Sequence, residues 1–369
     1  MEKTLIKQNN AGISIIAAAV IIAGLWWFSD LLKPLALAIF LWLTIDAFAE
    51  SLQKRLPFIP KVAAIPVAVL FVFLALTFIV GFVIEYATGM AQSLGAYQTR
   101  LNEVIAQGHD ILNLSGLPPT VGELFARVNP SLLLRGIADT LQNFGSQALF
   151  VIIYVACLFA AQAGLPRKME HIFGTGSELS RASLIGKAIS KSMEQFLWVQ
   201  TITGFMIAVV CYALFEIMGL NNALFWAVMT FVLSYIPVIG GVIASLLPAL
   251  FALVQFASPV PALIILGVSQ GIQFLVGNVI QPRMTGDSLN ISVLVVFLSL
   301  AFWGKLWGGP GMFLAVPLTV MLMIILSQFP STRWIAVMMS NNGTPDSSVK
   351  LPPAPPPPAT RASAPTTVS

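Results

Sequence analysis

Charged side chains are what this sequence has least of. Only 9% of its 369 residues are Asp, Glu, Lys or Arg, while 57% are hydrophobic. A soluble domain carries about 25% charged residues. So few charges cannot solvate a water-facing surface, whereas a lipid-facing one needs almost none. Cysteine is scarce too. Cys157 and Cys211 are too far apart for a disulfide framework or a thiolate metal cluster, and each lies in an apolar run, which reads as packing. His109 and His171 stand alone in polar connectors without a second histidine at ligand spacing, so no metal and no other cofactor is expected. Walker loops, dinucleotide fingerprints and nucleophile elbows are also missing, which argues against an ATP-driven pump and against an enzyme. The net charge of +4 is spread too thinly to bind nucleic acid.

Apolar sequence is what the chain has in abundance. Crossing about 30 Å of hydrocarbon takes roughly 20 apolar residues at 1.5 Å each. Runs of that kind cover residues 12–28, 31–49, 62–84, 146–164, 199–218, 259–280 and 306–326, with a shorter one at 289–303. The first follows a basic start but ends in Trp26-Trp27-Phe28-Ser29, not in a small-x-small cleavage site, so it reads as a retained helix. The stretch 223–256 is too long for one straight crossing and too short for two. At its centre, Tyr235-Ile236-Pro237-Val238-Ile239-Gly240-Gly241 loses a backbone donor at Pro237 and is loosened by the two glycines. This pattern predicts a helical hairpin whose tip breaks inside the membrane. With both hairpin ends outside, fourteen Lys and Arg fall in inner segments and five in outer ones, three of those in one long loop. A single crossing there would put Arg283 and Arg333 outside. The predicted fold is thus an all-α integral membrane protein of about eight transmembrane helices, with both termini inside.

Four regions follow. Residues 1–84 hold the first three spans. Residues 85–145 form an outer connector with apolar positions at helical spacing (Met90, Leu94, Tyr97, Leu101, Ile105, then Val121 to Leu141), broken at Pro118-Pro119-Thr120. Residues 146–340 complete the bundle and contain the hairpin 223–256 and a basic amphipathic helix, 165–194, expected to lie on anionic membrane lipid. Residues 341–369 are Pro-rich and read as a disordered tail.

Three features could carry function. Plotted at about 100° per residue, Gln270, Gln273, Asn278 and Gln281 share one arc of helix 259–280 with Gly267, Gly271 and Gly277. Amides facing lipid are costly, so this arc faces protein or water. Helix packing through Gly267-x-x-x-Gly271 and a substrate-facing wall both account for it. The hairpin tip at Pro237, Gly240 and Gly241 is the second candidate, because irregular backbone at membrane depth must be buried in protein or line a cavity. The third is Asp46, a carboxylate within a span that is either a coupling site or a solvated residue near the inner surface; Glu216 lies nearer water still. Arg283 stands at the inner mouth, as a ligand contact or as a positive-inside anchor.

The run Gly277-Asn-Val-Ile-Gln-Pro-Arg-Met-Thr-Gly286 resembles the signature of the autoinducer-2 exporter family of bacterial membrane proteins. Leu294-Val-Val-Phe-Leu-Ser-Leu-Ala-Phe-Trp-Gly304, Gly308-Gly-Pro-Gly-Met-Phe-Leu-Ala-Val-Pro317 and Tyr235-Ile-Pro-Val-Ile-Gly240 resemble it as well. The likeness covers roughly residues 10–340, and it departs from the family pattern at Asp287 to Ser292. It implies an inner-membrane homo-oligomer with about eight helices and a periplasmic connector, exporting a small furanone signal, with sodium/proton antiport known for some members. A neutral, hydroxyl-rich small-molecule substrate would suit amides and exposed carbonyls better than a charged cage. Three readings stay open: exporter, cation/proton antiporter and non-transporting membrane scaffold.

Overall fold

A computed structural model describes residues 16–17, 19–55, 61–93, 100, 102–103, 105–106, 109, 147–174, 176–285 and 290–345. The second apolar stripe of the connector and the Pro-rich tail beyond 345 lie outside the described residues. Among the described residues the chain is helical, with one isolated bridge between Ile291 and Ser340. The first half comprises α1 (Ala19–Trp27), α2 (Ser29–Arg55), α3 (Lys61–Ser93), α4 (Gln147–Gln162), α5 (Leu165–Phe173) and α6 (Ser177–Ile217). The second half continues as α7 (Ala223–Ser234), α8 (Ile239–Gln255), α9 (Val260–Leu275), a π-helical turn (Val276–Ile280) and α10 (Gln281–Thr285). It ends with α11 (Val293–Trp307), α12 (Gly309–Ser327) and α13 (Arg333–Met339).

Four stretches are long and apolar enough to cross a membrane alone: Ile65–Tyr86, Leu179–Ile217, Val260–Met284 and Gly309–Ser327. The count rises to six if α1 with α2 and α4 with α5 each make one bent span, the pairs being bent by 89° and 66°. Three shorter apolar helices, α7, α8 and α11, complete the set. The chain is therefore a multi-pass α-helical membrane protein. Its outer surface agrees: Phe71, Leu74 and Phe78 on α3 are at least 57% exposed, a pattern that suits lipid rather than water.

Several predicted boundaries are corrected. The predicted crossing 306–326 is split by Gly308, whose φ of 69° ends α11, and α12 begins at Gly309. Gly311 lets the two helices close up, because a Cβ there would collide with the Trp303 carbonyl. The predicted amphipathic helix 165–194 is two pieces. Gly174 and Gly176, both at positive φ, separate α5 from α6. Everything from Ser177 to Ile217 is one helix, about 60 Å long at 1.5 Å per residue. The connector's first residues likewise belong to α3, which runs on to Ser93.

This long helix organises the bundle. It touches α2, α5, α7, α9, α10, the π turn and α12. Toward its start, Met193, Phe196 and Leu197 pack with Phe40 of α2 and with Leu314, Val320 and Ile324 of α12. Toward its end, Ile207, Cys211 and Phe215 pack with Phe225, Trp226, Ala249 and Ile265. Cys211 thus packs as expected, whereas Cys157 on α4 is exposed. Lipid is as apolar as these side chains, so shape fit and interhelical hydrogen bonds hold the helices together more than a hydrophobic drive does.

The stretch 223–256 is a hairpin, and its two ends meet. Asn222, in the left-handed conformation at φ 58°, turns the chain into α7. At the other end, Gln255 accepts from Asn221 N at 2.7 Å and donates to Gly219 O at 2.7 Å. Arg100 of the connector adds a second clasp, donating to Phe256 O (3.2 Å) and Ala257 O (2.7 Å) while pairing with Glu103 at 2.6 Å. A cation on the last carbonyls of a helix is favoured by charge as well as by geometry. The two hairpin ends and Arg100 therefore meet in one place, which puts them on one face of the membrane. In a chain lacking Cys157 and Cys211, Asn222→Cys and Ser258→Cys should react with an impermeant maleimide from the same side. Labelling from opposite sides would contradict this arrangement.

Candidate functional site

The break between α7 and α8 comes from sequence. Pro237 has no N–H, and the residue before a proline is pushed away from the helical region. Tyr235 and Ile236 still close tight turns onto Val232 O (3.3 Å) and Leu233 O (2.9 Å). Ile239 N then bonds back to Pro237 O at 2.7 Å, with Val238 between them at φ 64°, ψ −63°. That is a γ-turn with positive φ, the strained form, here on a β-branched residue. Such strain costs about 1–3 kcal/mol and persists only where the surroundings enforce it. Gly240 is part of that enforcement, since a Cβ there would collide with the Leu233 carbonyl.

A helix that stops inside a packed bundle leaves its last carbonyls in need of partners. Here the turn itself meets Val232 O and Leu233 O, and α6 meets Ser234 O. Gln200, only 5% exposed, donates its amide Nε2 to the Ser234 carbonyl and accepts from Gln281 Nε2 at 3.2 Å. The next residue, Thr201, shares a 2.8 Å hydrogen bond with the Tyr235 hydroxyl. One turn on, Gly204 gives the Ser234 side chain room, because any Cβ would strike Ser234 Oγ. The Tyr235 ring is wedged edge-on to Phe231 (5.5 Å) and tilted against Phe313 (5.7 Å), which itself meets Phe40 (5.3 Å). These polar contacts sit on α6 between its two apolar clusters.

The predicted amide arc is divided by the structure. Gln273 belongs to the tip: a Cβ on Gly241 would lie 3.0 Å from its Oε1, and its buried Nε2 has no hydrogen-bond partner. Gln281 belongs to it through Gln200. Gln270 is half-buried and Pro237 likewise. Asn278 is on the open side, its Nδ2 turned back to Phe274 O at 2.9 Å. A Cβ added at Gly267, Gly271 or Gly277 would meet nothing within 4 Å, so the glycine face packs on no part of this chain that is described. The buried face of α9 is instead Ala262, Ile265 and Ser269, with Val276 following. A regular 100° step could not foresee the division, because the π turn Val276–Ile280 adds a residue to the winding and shifts everything after it. Arg283 is exposed on α10.

Asp46 is not near the tip. Its Oδ1 accepts from Gln162 Nε2 at 3.1 Å, and Gln162 Oε1 accepts from Trp42 Nε1 at 3.1 Å. It is half-buried. Glu216 is exposed. Sequence reading missed Gln200, Thr201 and Gly204, although their spacing was available: with Thr203 they interrupt an apolar stretch of α6.

The AI-2E family transporter model matches residues 15–331. The chain belongs to the AI-2E transporter family. It is 27% identical over 346 residues to the AI-2 transport protein TqsA of Escherichia coli K12, covering 92% of this chain and 99% of that one. A Haemophilus influenzae Rd protein, named for transport without a stated substrate, is 29% identical over 348 residues, covering 90% and 98%. The E. coli K12 transport-named protein YhhT is 26% identical over 334 residues, covering 89% and 93%. As an AI-2E family member the chain is a multi-pass membrane transporter.

The two kinds of glycine separate packing from exposure. Gly204→Leu should lower the thermal stability of the purified chain, because it expels Ser234 and breaks the Gln200 contact. Gly271→Leu, in open space, should leave the monomer's stability unchanged. Equal losses in a thermal-shift measurement would refute the close approach at Gly204.

Proposed function

We propose that this AI-2E family transporter exports a small, uncharged, hydroxyl-rich metabolite or signal of the autoinducer-2 kind across the bacterial inner membrane, with both termini cytoplasmic. The observation that carries the reading is the chemistry at the tip. Gln200, Gln273, Gln281, Thr201 and Tyr235 converge there with the Ser234 carbonyl, and none of them is charged. Amides and hydroxyls both give and accept hydrogen bonds, which suits a diol or furanone. A substrate would use the free Nε2 of Gln273 and take over bonds now made between Gln200, Gln281 and Ser234. The name of TqsA supports the same class of cargo.

Transport also requires the path to open and close. The tip is the element suited to do so, since it is a strained turn held to α6 by a few replaceable polar contacts. Loss of those contacts would let Val238 relax and the tip withdraw from α6. Gln270, Pro237, Gly240 and Gly241 would line the same passage, with Asn278 and Arg283 toward the cytoplasmic mouth. The exposed glycine face of α9 would meet another copy of the chain in a homo-oligomer.

One observation favours a second reading, cation/proton antiport. Asp46 is a half-buried carboxylate held by an amide, an arrangement able to exchange a proton for a cation.

Flux into inverted vesicles distinguishes them. A net buried hydrogen bond is worth about 1 kcal/mol, and an unpaired buried partner costs up to about 3. Gln273→Leu and Gln281→Leu should therefore cut uptake of autoinducer-2 several-fold to over a hundredfold, at near-normal membrane abundance. Asp46→Asn should leave it unchanged. If Asp46→Asn abolishes a sodium- or potassium-dependent proton flux that the amide variants retain, antiport is the function and the tip assignment falls.

A further inference from the structure

Helix α5 turns aside from the bundle. The chain leaves α4 at Gln162 and bends by 66° before Leu165–Phe173, and no residue of this nine-residue helix is buried. At 100° per residue, Ile172, Leu165, Met169 and Phe173 fall within one arc of about 100°, and Glu170, Arg167, His171 and Lys168 fill the opposite side. The apolar arc is open: Leu165 is 47% exposed, Ile172 72% and Phe173 40%, with Met169 half-buried. Arg167 and Lys168 are exposed, and so are Lys187 and Lys191 of α6, which packs on α5. His171 is held to its own helix, its Nδ1 2.8 Å from Arg167 O.

A short helix with bulky apolar residues on one side and cations on the other has no stable place in water or in hydrocarbon. The bend sets it away from the direction of the span it follows, as an interfacial position requires. We propose that α5 lies in the membrane–water interface, its Leu165–Ile172 side among the acyl chains, and that Arg167 and Lys168 bind the anionic phospholipid headgroups of that leaflet. The bend falls directly after Gln162, so the same grip fixes the end of α4 whose amide bridges Trp42 and Asp46.

The test uses the full chain carrying Cys157→Ser and Cys211→Ser, with a fluorophore at either Ile172→Cys or Glu170→Cys. It is reconstituted in phosphatidylcholine vesicles with or without phosphatidylglycerol. The label at 172 should be quenched by lipid-borne nitroxide and the label at 170 by aqueous iodide. One basic side chain near an anionic surface changes partitioning roughly fivefold. Phosphatidylglycerol should accordingly raise lipid quenching at 172 several-fold, and high salt should cancel the rise in the unsubstituted background. Arg167→Glu with Lys168→Glu should remove the rise while the protein elutes from a sizing column as before. If that variant fails to fold, the salt response of the parent decides. Iodide access at 172 that is the same in both lipids overturns the proposal. Protection of 172 in detergent that disappears on dissociation to monomer also overturns it, because the occupant is then a second copy of the chain.

Discussion

A helix that ends inside a membrane must find partners for the carbonyls it leaves open, and no water is there to supply them. In this chain the same need arises at the end of α7, where Ser234 is buried against α6. The Gln200 amide meets it by donating to Ser234 O, and most of the arrangement around the tip follows. Gln200 can reach only if α6 lies close alongside, which Gly204 permits by leaving room for Ser234. Its remaining acceptor is filled by Gln281, which the π turn swings toward α6. The strained Val238 turn can persist because Gly240 packs against Leu233 and Tyr235 is held by Thr201 and Phe313.

The Gln200 contact sits near the middle of the long α6. Its apolar clusters grip α2 and α12 in one direction and α7, α8 and α9 in the other, leaving the polar residues 200–204 between them. A tip that moves as proposed would need such a rigid bed. Its other ends are pinned by different means: Gln255 and Arg100 clasp the base of the hairpin, and Arg181 reaches Gln328 O at 3.1 Å to tie the start of α6 to the end of α12. The proposed motion at the tip would then leave the base intact.

Much of this was legible in the sequence. The scarcity of charge and the apolar runs pointed to the all-α membrane fold, and Pro237 with its glycines to the hairpin break. Gln273 and Gln281 could be picked out as amides in an apolar helix. Their division from Asn278 could not, because one extra residue in the winding at Val276–Ile280 moves the phase and no residue type announces it. Gln200 was hidden for another reason. One of two amides in a 41-residue helix becomes informative only when its partner is known to be an open carbonyl 34 residues away. The glycines at 174, 176 and 308 were visible, but their positive φ and the helix ends they impose were not.

For the transporter to work as proposed, the tip must leave α6. An ideal Cβ on Gly204 would lie 3.3 Å from the Cβ of Ser234, a separation close to that of a disulfide. In a chain lacking Cys157 and Cys211, Gly204→Cys with Ser234→Cys should cross-link under mild oxidation. Flux in reconstituted vesicles should fall to background when the bond is formed and return on reduction, while neither single variant responds to oxidant. Full flux through the cross-linked protein would contradict a tip that has to move.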